Sequence, residues 1–80
     1  MKSAAPPRNP TDATTMVAFI SELIETHMEK CDNDLIPTAH VVSERNNSAA
    51  SVAKLSNAGP MLTIALDDGT KWLLSLLKTA

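Results

Sequence analysis

From Asn9 to Asp34 the chain repeats apolar side chains every three or four residues: Ala13, Met16, Val17, Ile20, Leu23, Ile24, then His27 or Met28, and Cys31. A helix turns once per 3.6 residues, so this spacing gathers them into one stripe about five turns long. Thr15, Ser21, Glu22, Glu25, Thr26 and Glu29 fall on the opposite side. Asn9 can accept a hydrogen bond from the first turn, and Pro10 suits the first helical position, where a missing N–H costs nothing. Asp12 sets a negative charge against the positive helix end. Asp32-Asn33-Asp34 then breaks the periodicity. The pattern predicts a long amphipathic helix from Pro10 to Cys31.

Beyond Leu35-Ile36-Pro37 the period changes. Ala39–Arg45 reads as a strand around Val41 and Val42, and Asn46-Asn47 tolerates a left-handed turn. Ala49–Ser56 supports two readings. Val52 and Leu55 stand three apart, as in a short helix capped by Ser48, whereas alternation through Val52, Lys54 and Ser56 suits a strand in a hairpin with the preceding one. The strand is the preferred reading. Asn57-Ala58-Gly59-Pro60 is a turn. Met61–Leu66 alternates Leu62, Ile64 and Leu66 against Met61, Thr63 and Ala65, as a half-buried strand does.

The last segment, Thr70–Ala80, is open in the same way. A helix places Trp72, Leu73, Leu76 and Leu77 on one face and Lys71, Ser75 and Lys78 on the other. A strand would follow from the hairpin signal Asp67-Asp68-Gly69. The helix separates polar from apolar residues better and is preferred. The expected fold is therefore α+β: a long N-terminal amphipathic helix packed on a small antiparallel sheet of two or three strands, with a C-terminal helix (or final strand). This order also occurs in double-stranded-RNA-binding domains. Their second helix starts with lysines, but Asp67-Asp68 precedes that place here, and the chain is not assigned to them.

Eighty residues make one small domain, 9–80, preceded by a polar, proline-containing stretch, 1–8, expected to be a mobile arm. A domain of this size buries only about 60% of its unfolded surface, so its stability margin is thin. Disulfides, a structural metal or self-association are the usual remedies. The single cysteine, Cys31, excludes an internal disulfide, and with so few soft ligands self-association is the remedy left. Phe19 and Trp72 are the only large rings. Trp72 is expected in the core, whereas Phe19 lies at the edge of the stripe.

Net charge is −2, and the seven basic residues are scattered. A phosphate-binding face wants them clustered, so nucleic acid is not the expected partner. A nucleic-acid-associated regulator would need Arg8, Lys54, Lys71 and Lys78 brought together by folding. No apolar stretch at the N-terminus has the length of a signal peptide, and no run approaches a membrane span. With one thiol, a reducing cytoplasm is the expected compartment.

Three groupings bear on chemistry. His27 and Cys31, four apart, share a helix face, but nucleophilic catalysis also needs an oxyanion site and a group that orients the base. His27, Cys31 and His40, with Asp32 or Asp34, would make a zinc set without the paired cysteines usual in small domains. Asp32-Asn33-Asp34 starts like a calcium loop, yet Pro37 and Ser43 stand where its glycine and glutamate belong. No catalytic residue, cofactor or metal is expected. Glu22, Glu25 and Glu29 form an acidic row whose mutual repulsion does not favour the helix. With Phe19 they are the candidate partner-binding residues. The expectation is a non-enzymatic protein–protein interaction module, a homodimer, of the accessory, regulatory or inhibitory kind that phages and mobile elements carry.

Overall fold

The computed structural model describes residues 9–80; the expected arm, 1–8, lies outside them. One helix, α1 (Ala13–Asp32), is followed by five strands: β1 (Val41–Ser43), β2 (Ser48–Ala50), β3 (Val52–Ala58), β4 (Met61–Leu66) and β5 (Lys71–Ser75). β1 and β2 form a two-stranded antiparallel ribbon, and β3-β4-β5 a three-stranded antiparallel meander. The α+β class holds, with more strands than the two or three expected and with a strand at the C-terminal end.

The helix starts one turn later than Asn9 suggests. Asp12 is the N-cap, its extended backbone presenting Oδ1 to the Thr15 N–H at 2.8 Å. That hydrogen bond holds the Asp12 carboxyl below its ordinary range. At the other end the Asn33 N–H donates to the Glu29 carbonyl, which ends the helix inside the predicted Asp-Asn-Asp triplet.

The stripe is real, but α1 is rotated about it. Val17, Ser21 and Cys31 are the buried helix positions, whereas Met16, Phe19 and Leu23 are exposed. Ser21, expected on the polar side, is 8% exposed. A small residue there lets the helix sit close to the sheet, tilting the stripe's Met16–Leu23 side outward.

Ala49–Ser56 divides into two strands. Ser48–Ala50 completes the ribbon with β1, closed at Asn47, whose φ of 50° bears out the left-handed turn. Val52 then opens β3, with a register irregularity between Val52 and Lys54. Asp67 ties this junction down: its N–H donates to the Ser51 carbonyl, and its Oδ1 accepts the Ser51 N–H.

A two-residue turn and a three-residue turn set the meander. Ala58 faces Met61 across Gly59-Pro60, with Gly59 at φ 58°. A positive φ first and a ring-fixed negative φ second is the order a type II′ hairpin takes. The second turn contains Gly69 at φ 91°, and Asp68 braces it by accepting the Thr70 N–H and hydroxyl at 2.9 and 2.6 Å. The Asp-Asp-Gly signal therefore decides the C-terminal segment as β5, overturning the preferred helix. The helical reading rested on separating polar from apolar residues, which is informative only when the apolar face is buried. Here Trp72, Leu73 and Leu74 are all exposed.

Residues paired across strands share a sheet face. Leu62 with Leu74, and Ile64 with Trp72, lie on the face that carries α1; Thr63 with Leu73, and Ala65 with Lys71, lie on the other. The core is thin. Val17 and Leu62, both 0% exposed, are its fully buried large side chains.

Candidate protein-interaction surface

The helix covers β3 and β4 and leaves the β5 side of the same face open. The flank of α1 that turns away from the core carries Met16, Leu23 and His27, with Phe19 just beyond. Between this flank and the ribbon runs a groove of about 350 Å³, walled by Ile20, Leu23 and Ile24 and floored by Val52 and Ile64. A second groove of about 390 Å³ continues from it, sharing Val41 and Ile64 and reaching Ala49, Leu66 and Trp72. Large apolar side chains line both. Trp72 is 60% exposed and Phe19 52%, so the expectation of a core Trp72 is corrected.

The exposed indole is held in place. Its Nε1–H donates to Thr70 Oγ1 at 3.1 Å, and that hydroxyl donates to Asp68 Oδ1. Thr70 also holds the Asp68 carboxyl below its ordinary range, chiefly through the hydroxyl. A pinned aromatic loses little freedom when it is covered, which is the property of a good contact anchor.

The four candidate partner residues do not form one spot. Phe19 borders the apolar flank; at 100° per residue, Glu22, Glu29 and Glu25 stand about 60°, about 80° and about 120° around the helix from it, on the side away from Met16 and Leu23. All four are exposed. The candidate surface also takes in Met16, Leu23, Trp72 and Leu74, which the sequence does not single out as partner-binding. Their signal was present in part: an Asp-Gly hairpin places the following strand at a sheet edge unless another strand follows.

His27, Cys31, His40 and Asp32 do converge, but as a latch. His27 Nε2 lies 2.7 Å from the His40 carbonyl oxygen, which can only accept, so this nitrogen carries the proton. It also lies 3.6 Å from Cys31 Sγ. A nitrogen already donating has no lone pair with which to take the thiol proton. The His40 side chain, 5% exposed, accepts the Val52 N–H at Nδ1 (2.9 Å) and faces Asp32 Oδ1 with Nε2 (2.8 Å). It ties the end of α1 to the start of β3. Among the described residues, no group of three or more His, Cys, Asp and Glu side chains is placed to hold a metal ion.

Of the four basic residues a phosphate-binding face would need, Arg8 lies outside the described residues and the other three are not gathered. Lys54 and Lys71 flank Ala65 in one cross-strand row on the face away from α1, while Lys78 lies near Asp12 at the helix start. Among the described residues no helix is long and apolar enough to cross a membrane. No protein-family model, curated protein or solved structure shows significant similarity to this chain.

Proposed function

We propose that this protein is a non-enzymatic protein–protein interaction module, homodimeric and cytoplasmic, acting as an accessory, regulatory or inhibitory protein by covering a site on a macromolecular partner. The observation that carries the reading is the open apolar surface of α1 and β5. Met16, Phe19, Leu23, Trp72 and Leu74 are exposed on the α1 side of a domain in which, among the described residues, two large side chains are fully buried. Contiguous apolar surface on a small domain marks a contact site. Two features support a binding role over catalysis: His27 is committed as a donor, and His40 spans two structural elements. The Glu22, Glu25 and Glu29 row adds a charged border, which steers encounter with a basic partner more than it adds affinity.

Affinity capture from the native host, followed by mass spectrometry, tests the reading when wild type is run beside Phe19→Glu/Leu23→Glu. The reading expects a protein captured by wild type and lost with the double variant. Equal capture by both removes the α1 flank from the function. Glu25→Gln/Glu29→Gln should slow association and flatten its salt dependence without abolishing capture.

A further inference from the structure

The two free edges of the meander differ. The β3 edge is interrupted by the register irregularity between Val52 and Lys54 and carries polar Lys54, Ser56 and Asn57. Bulges and edge charges are devices that prevent strand addition. β5 has regular register along its whole length, no proline, and Trp72-Leu73-Leu74 at its centre. Its only charge, Lys71, is at one end.

The direction of its free backbone groups follows from the bonds already made. The Leu66 N–H donates to the Thr70 carbonyl and the Leu76 N–H to the Pro60 carbonyl. Backbone groups alternate along an antiparallel strand, so Thr70, Trp72, Leu74 and Leu76 face β4. Lys71, Leu73 and Ser75 direct their N–H and C=O groups outward.

Resting on the dimeric reading above, we infer that β5 pairs with β5 of a second copy, antiparallel about a two-fold axis at Leu73, to give one six-stranded sheet. In that register Leu73 meets its own counterpart, and Lys71 meets Ser75 in both directions, so no lysine faces a lysine. The three outward residues of each copy exchange six backbone hydrogen bonds. Trp72 and Leu74 become close, non-hydrogen-bonded cross-strand neighbours on the α1 face, where aromatic–aliphatic pairs contribute most. Leu76 of the second copy comes opposite Thr70, at the mouth of the groove that Trp72 lines. Both helices stand on the same face, with their Met16 and Leu23 flanks turned toward the new centre.

The area fits one such contact. The chain exposes 6530 Å², whereas a compact monomer of 8.5 kDa exposes about 4,700 Å². Setting aside about 1,200 Å² for residues 1–8 as an upper bound still leaves about 600 Å² in excess. A standard interface takes about 800 Å² from each partner.

The test joins sedimentation with hydrogen exchange on the whole chain. Wild type at micromolar concentration should sediment at twice 8.5 kDa, with the Lys71, Leu73 and Ser75 amides protected and losing protection on dilution. Leu73→Pro removes an outward N–H and no bond to β4, so it should keep the far-ultraviolet spectrum and raise the dimer dissociation constant about 100-fold, the equivalent of two lost hydrogen bonds. If that variant does not fold, the wild-type exchange pattern decides alone. A dimer whose three amides exchange freely, or that survives Leu73→Pro intact, overturns the β5 interface and leaves dimerisation standing. A monomer at every concentration overturns both. Protection of these amides in a monomer only after a foreign protein is added overturns the second copy as occupant.

Discussion

Two halves of one sheet face are finished in opposite ways. Over β3 and β4, α1 packs down with Val17 against the layer that holds Leu62, and the His40 latch fixes the far end. Over β5 the same face carries Trp72 and Leu74, and among the described residues no helix lies above them. Burying a large aliphatic side chain is worth about 1.5–3 kcal/mol, so the covered half holds the fold together. The open half contributes little to a single chain's stability, which leaves its sequence free to serve contact. Its residues are nevertheless large and apolar, and its indole is pinned by Thr70.

The sharpest way to break this contrast is to truncate one residue on each side. Leu62→Ala should cost about 2–5 kcal/mol in denaturant unfolding, because it leaves a cavity in a core with little else to collapse. Trp72→Ala, measured at a concentration low enough to keep the chain monomeric, should change stability by no more than about 1 kcal/mol, the worth of its exposed hydrogen bond to Thr70. Comparable losses at both positions would mean that the halves are not distinct.

The latch is next. His40→Ala orphans the Val52 N–H and releases Asp32, and should cost about 1–3 kcal/mol by thermal or chemical unfolding. Gly69→Ala follows: at φ 91° a side chain strains the β4–β5 turn, for about 1–2 kcal/mol. Nothing stands within 4 Å of a Cβ at this position, so any loss reports backbone strain and not a clash.

The smallest effect is acid sensitivity. The folded chain holds Asp12 and Asp68 below the ordinary aspartate value of 3.8. A carboxyl depressed in the folded state stabilises fully above its unfolded value, and that contribution is lost as pH falls through the folded one. In thermal melts these two carboxyls should therefore add no pH dependence above about pH 5 and a decline toward about pH 3. Asp12→Asn, an equally good cap, should shallow that decline without moving the neutral-pH melting temperature much.

The helix was legible because a 3.6-residue period over five turns leaves few alternatives, and its exit at Asp32-Asn33-Asp34 lay where the polar triplet put it. Its rotation was not. Ser21 replaces bulk with close approach, and hydropathy alone cannot see that. Both hairpin turns were written in Gly59-Pro60 and Asp67-Asp68-Gly69. The segment after the second turn was misjudged because its apolar residues were assumed to need an inside, whereas Trp72 and Leu73 have none within one chain. His40 gave no signal as a latch, since its partners, Asp32 and the Val52 N–H, are joined only by the fold. Phe19 was placed correctly at the edge of the stripe, but the glutamates chosen beside it run around to the far flank.

Trp72 offers the most direct test of the claim that the β5 half is built to be covered by another copy. It is the chain's only tryptophan, and there is no tyrosine, so its fluorescence has no background. Emission recorded from nanomolar to tens of micromolar protein should shift to the blue and become harder to quench with iodide as the indole leaves water. Solvent-exposed emission, equally quenchable over that whole range, would contradict the account.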